Sequence, residues 1–159
     1  MKILCFCIMC TLLSLSTNAQ QQEKQERMKT FNLTDEGVAL QGYDPLSYFQ
    51  SDEQAKGEEE INYTYQGVTY YFANEANKAE FQKDPAKYEP AYGGWCAYAM
   101  GDDGSKVKID PETYKIIDGK LYLFYHTFWS NTLPKWNKKE GKLKPKAEQN
   151  WDTLLTKNK

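Results

Sequence analysis

Tyr114-Lys115-Ile116-Ile117-Asp118-Gly119-Lys120-Leu121-Tyr122-Leu123-Phe124-Tyr125 is the stretch from which the fold is read. Both arms consist largely of strand formers, and Asp118-Gly119 between them is the dipeptide whose positive φ angles suit a tight type I′ connection, so the stretch reads as an antiparallel hairpin. On the second arm Leu121, Leu123 and Tyr125 point one way, and Tyr122, Phe124 and His126 the other.

Upstream, Ile61, Tyr63 and Tyr65 alternate, Gln66-Gly67 can turn, and Val68 to Phe72 is β-branched and aromatic, which predicts another hairpin. Asn74 stands where a helix cap belongs, ahead of a short helix through Phe81, and Asp84-Pro85 repeats the cap-plus-proline device before Tyr88. Gly42-Tyr43-Asp44-Pro45 supplies a turn and helix start, with Asp44 accepting from orphan amides, while Leu46, Tyr48 and Phe49 pack inward. Asp52 to Glu60 reads as an exposed acidic loop, since its carboxylates lack calcium-loop spacing.

Between the hairpins lies Tyr92-Gly93-Gly94-Trp95-Cys96-Ala97-Tyr98-Ala99-Met100. Its glycines permit a turn or a close approach. As a helix it places Cys96, Ala99 and Met100 on one face and Trp95 and Tyr98 on another. Asp102-Asp103-Gly104 breaks the chain, Val107 and Ile109 alternate as a brief strand, and Asp110-Pro111 starts a turn. From Phe128 a lysine-rich tail predicts helical segments pinned by Trp129, Trp136 and Trp151, with Pro134 and Pro145 as breaks. The sum is a small single α+β domain of two hairpins packed with short helices.

Met1-Lys2, the apolar run Ile3–Leu15 and the small residues Ser16 to Ala19 predict a signal peptide over residues 1–19 and a secreted or periplasmic protein. Residues 20–30 are Gln, Lys and Glu with almost nothing apolar and read as a polar tether, leaving 31–159 as the domain with its C-terminal helical extension. Cys5, Cys7 and Cys10 leave with the leader, so Cys96 remains alone and no internal disulfide is available. The formal charge of -2, with lysines and acids interspersed, gives no broad basic field for nucleic acid or an anionic membrane, and no later stretch qualifies for membrane insertion. The 12 Tyr, 7 Phe and 4 Trp are enough to build a core without metal or disulfide. No phosphate loop, paired-carboxylate motif, serine elbow or zincin histidine pair is present, which disfavours an ordinary hydrolase or nucleotide enzyme.

In order and spacing, Gly42-Tyr43-Asp44-Pro45, Gly67 to Phe72 with the helix through Phe81, Asp84-Pro85-Ala86-Lys87-Tyr88, Gly93-Gly94-Trp95-Cys96-Ala97-Tyr98-Ala99, Asp118-Gly119-Lys120-Leu121-Tyr122-Leu123 and Asn150-Trp151 resemble the exported YHS domain proteins, including those described as YHS domain (seleno)proteins. The resemblance covers nearly the whole mature chain. It implies a treble-clef-like, TRASH-like core and a role in heavy-metal, especially copper, handling. In the short metal-associated versions cysteines follow the Asp-Pro turn and flank the helix after the hairpin; here Leu46-Ser47, Ala73 and Ala76-Asn77 stand there, and none supplies a thiolate.

Cys96 has three readings: a small buried hydrophobe, a soft-metal ligand for Cu(I) with the Met100 thioether, or a reactive thiol that forms mixed disulfides. His126, the chain's one histidine, would join a sulfur-nitrogen site or activate the thiol if folding brings it close to Cys96. Tyr43, Asp44, Tyr70 and Tyr98 are the other polar candidates, with turn chemistry and aromatic packing as their simpler roles. The functional expectation is a non-enzymatic, exported, copper-binding or buffering protein, monomeric or weakly dimeric, whose partner is a metal ion or another exported protein. A single-cysteine redox protein and an interaction domain without a chemical site are the alternatives.

Overall fold

The computed structural model describes residues 20–50 and 54–157, so the expected leader lies outside the described residues. Among them the chain is mixed α+β, with helices around small antiparallel two-stranded sheets. Helix α1 covers residues 20–30 and α2 is the single turn Ser47–Gln50. Strands β1 (Glu58–Tyr65) and β2 (Val68–Phe72) form the first hairpin, followed by α3 (Glu75–Lys83) and α4 (Pro85–Tyr88). A 3-10 turn at Ala91–Gly94 leads into α5 (Ala97–Asp102), and β3 (Asp110–Ile117) pairs with β4 (Lys120–Phe124). A miniature hairpin of β5 (His126–Thr127) and β6 (Ser130–Asn131) precedes α6 (Leu133–Asn137) and α7 (Glu140–Lys157).

Local signals are realised where they are strongest. Asp118 and Gly119 both have positive φ, as the tight turn requires, and the Asn74 side chain accepts from the Asn77 amide at 2.8 Å to cap α3. The alternation predicted for β4 holds across two cores. Leu121 and Leu123 enter a first core, built on β1, β2 and α3, in which Phe81 meets the rings of Tyr70 and Phe72 at 4.8 and 5.3 Å. Tyr122 and Phe124 enter a second, around Trp136 and Met100, against α5, α6 and α7. Strand β4 is therefore buried on both faces.

Elsewhere tertiary packing overrides local reading. Residues 20–30 form a helix instead of a tether, because Arg27 near its end pairs with buried Glu89 and lies 4.4 Å over the Phe31 ring. The acidic stretch is partly strand, since β1 begins at Glu58 and bulges before Asn62 while its glutamates stay in solvent. Val107 and Ile109 make no strand; their segment runs past α5, where the Val107 carbonyl accepts from the Cys96 amide at 3.0 Å. Pro145 lies inside α7 and does not end it, because Leu143 and Ala147 on either side are held in the second core. Trp129 pins no helix and stands on the β5–β6 turn.

Candidate functional site

Cys96 is fully buried at the foot of α5, and its sulfur is 3.3 Å from the Tyr125 amide nitrogen, which donates to it, and 3.4 Å from the Thr132 hydroxyl. It occupies the N-cap position with non-helical backbone (φ -57°, ψ 116°), so the helical spacing that predicts a shared face with Met100 does not apply. Cys96 packs in the first core and Met100 in the second. His126 follows Tyr125 directly, but its Nδ1 is 3.0 Å from Asp110 Oδ2 and 3.1 Å from the Thr113 hydroxyl, in a half-exposed position. The three expected ligands thus have separate surroundings. Among the described residues no group of three or more His, Cys, Asp or Glu side chains could hold a metal ion.

The other candidates have defined partners. Asp44 is buried; Oδ1 accepts from the Leu46 amide at 2.8 Å, and Oδ2 accepts from the Ala73 amide at 2.9 Å and from Asn77 Nδ2 at 2.6 Å. Its carboxylate therefore joins the turn before α2 to the start of α3, beyond the capping role its sequence context predicts. The Tyr43 hydroxyl donates to Glu112 at 2.8 Å, and that bond holds its pKa above the ordinary phenol value. Tyr98 is half-buried and packs against both cores.

Tyr70 leads to a different place. Its hydroxyl donates at 2.6 Å to Glu89 Oε1, the same oxygen that accepts from Arg27, and burial, with the Glu89 charge adding to it, pushes the phenol pKa well up. This triad borders a cleft of about 800 Å³ between α1, the 91–94 turn, β4 and α7, walled by Arg27, Phe31, Tyr92, Lys120, Tyr122 and Trp151. Gly93 makes the wall thin. Its φ is +58°, and a Cβ there would meet Trp151 Cη2 at 2.7 Å and Phe31 Cγ at 3.0 Å. Asn32 pins the turn by donating its backbone and side-chain N–H groups to the Gly93 and Gly94 carbonyls, both at 2.9 Å.

Two donors on these walls, Arg27 Nε and the Tyr92 hydroxyl, are buried without a hydrogen bond of good geometry among the described residues; the Tyr122 side chain is the polar neighbour of the latter. Tyr92 is only 5% exposed; burial, then Tyr122 and Glu148, push its pKa up, so it stays a phenol that can donate. Lys120 donates to the Ala86 carbonyl at 2.8 Å, and burial lowers its pKa against the opposing pull of Glu89 and Asp84. Glu23 and Glu148 at the cleft are exposed.

None of these wall residues was a sequence candidate. One signal was available: Arg27 is the chain's one arginine among many lysines, and a planar guanidinium is the usual choice for a buried carboxylate partner. Comparison of the chain with models of known protein families, with curated proteins and with solved structures finds no match in any of the three. The YHS resemblance therefore stands on the residues quoted for it.

Proposed function

We propose that this protein is a non-catalytic binding module that holds a small amphipathic molecule in the cleft between α1 and α7. Its ligand has an aromatic or alkyl body and, at its inner end, a carbonyl or carboxylate oxygen. The observation that carries this reading is the buried Tyr92 hydroxyl, a donor without a hydrogen bond of good geometry, on the wall of a cleft whose surface is mostly apolar and whose lining includes four aromatic residues and four glutamates. Buried polar groups are ordinarily hydrogen-bonded, and small-molecule sites combine apolar walls with a few such groups. An acceptor oxygen on the ligand would satisfy this hydroxyl, and Arg27 Nε offers a second donor of the same kind.

The soft-metal proposal through Cys96 loses support from the same geometry: the sulfur is enclosed, and neither Met100 nor His126 shares its surroundings. A binding module whose one mature-chain thiol is a core residue fits better.

The test is Tyr92→Phe. Removing a hydroxyl that makes no well-formed hydrogen bond within the protein changes the stability of the free protein little. Binding of anilinonaphthalene sulfonate, which joins an aromatic body to acceptor oxygens, should weaken about fivefold to thirtyfold, matching one lost hydrogen bond of ~1–2 kcal/mol. Aromatic carboxylates should displace the dye and the matching amines should not. A dye that does not bind the folded protein saturably, or that binds wild type and Tyr92→Phe alike, would overturn the proposal.

A further inference from the structure

The turn between β5 and β6 consists of Phe128 and Trp129, which are 91% and 89% exposed. Their rings meet edge to face at 4.8 Å. Two-residue hairpin turns favour Gly, Asn and Asp at positive φ; neither residue here has positive φ, and neither brings turn chemistry. Nothing in the local backbone requires bulky aromatics at this tip.

The root beneath them is firmly held. Thr132 donates its amide and its hydroxyl to the Tyr125 carbonyl at 3.0 and 2.9 Å, Tyr125 donates to Cys96, and His126 is bonded to Asp110. The rings are presented on a short, braced support. Because β5 and β6 have two residues each, the hairpin offers little edge for strand addition, and its side chains are what a partner would meet.

From the structure we infer that this tip is an interfacial anchor, which inserts Phe128 and Trp129 into the headgroup region of an anionic lipid bilayer. The surrounding charge fits that occupant. No acidic residue occurs between His126 and Lys139, and Lys135, Lys138 and Lys139 are exposed on and just after α6, which starts two residues beyond β6. Asp110 and Glu112, near the root, are engaged by His126 and Tyr43. Indole and phenyl rings partition into the interface while neighbouring lysines reach lipid phosphates. A protein pocket fits less well. Stable protein interfaces bury about 800 Å² per partner around a central anchor, and the residues flanking these rings, Thr127, Ser130 and Asn131, are polar. Glu140, which follows Lys139, pairs with Lys115, so the lysines of this segment stand out locally in a chain whose formal charge is -2. No helix among the described residues is long and apolar enough to cross a membrane, so the contact inferred is peripheral.

The experiment is flotation of the full chain with vesicles of phosphatidylcholine alone or mixed with phosphatidylglycerol. It compares wild type with Phe128→Ser/Trp129→Ser and with Lys135→Glu/Lys138→Glu/Lys139→Glu. All carry the same apolar N-terminal run, so the readout is the difference between them. Wild type should prefer the anionic vesicles and lose that preference as salt rises. The tip variant should bind at least tenfold more weakly with an unchanged melting temperature, and the lysine variant should lose the anionic preference. Lipid with brominated chains should quench Trp129, and Trp129→Phe should abolish that part of the quenching while binding persists. Equal flotation of wild type and tip variant, or no quenching assignable to Trp129, would overturn the inference and leave the tip to a protein partner.

Discussion

Replacing Gly93 by Ala tests whether the wall between the two ends of the chain is as thin as the structure has it. Two costs arise at this position. At φ +58° a side chain meets the left-handed penalty of about 1–2 kcal/mol. The new Cβ would also lie 2.7 Å from Trp151 and 3.0 Å from Phe31, too close for ordinary packing, and forcing an extra carbon into such a site costs about 1–3 kcal/mol. Gly94 provides the control, since its φ is +82° but the nearest atom to a Cβ there, Pro90 Cγ, is at an unstrained 3.5 Å. Gly94→Ala should therefore pay the conformational term alone. With a domain of this size losing roughly 3 °C per kcal/mol, the melting temperature should fall by about 3–6 °C for Gly94→Ala and by about 6–15 °C for Gly93→Ala. Circular dichroism melts of both variants measure the difference. Trp151→Phe, which removes the ring edge nearest to Gly93, should recover part of the Gly93→Ala loss in a double-mutant cycle. Equal melting temperatures for the two alanine variants, or no coupling to Trp151, would refute the close packing of Phe31 and α7 on the 91–94 turn.

Cys96 should label with a thiol reagent at least about a hundredfold more slowly in the folded protein than in denaturant, because only opening of the core exposes it; mapping the modified peptide checks this, and rapid native labelling would restore the reactive-thiol reading. Cys96→Ala removes the acceptor of the Tyr125 amide and should lower stability to denaturant by about 1–3 kcal/mol. At Asp110 burial pushes the carboxyl pKa up, but bonds from the Thr113 hydroxyl, the Glu112 amide and His126 outweigh it and hold the pKa below the ordinary value. A depressed carboxylate pKa adds stability that is present above the unfolded value of about 3.9 and lost as pH falls through the folded one. The stability gap between wild type and Asp110→Asn should therefore shrink as the pH falls below about 4. A gap that does not change over the acid range would show that Asp110 gains nothing from its partners.

The elements that the sequence determined are those whose cause lies within a few residues. Asp118-Gly119 demands positive φ and sets the β3–β4 turn; Asn74 caps α3 from three positions away; period-two alternation assigns the two faces of β4. These are short-range steric and hydrogen-bonding constraints, and they read directly from neighbouring letters. Tertiary structure decided the rest. Residues 20–30 have no apolar periodicity, and their helix is anchored through Arg27 to Glu89, 62 positions away. Cys96 and Met100, four residues apart, enter different cores because Cys96 is the N-cap residue with non-helical backbone, so period 3.6 does not govern its side chain. Thr113 and Asp110, which hold His126, are brought to it by the bulged pairing of β3 with β4. The cleft is assembled from α1, the 91–94 turn, β4 and α7, segments that carry no shared motif. Its chemistry depends on which distant groups burial brings together and which it leaves without a partner, and no local pattern encodes that.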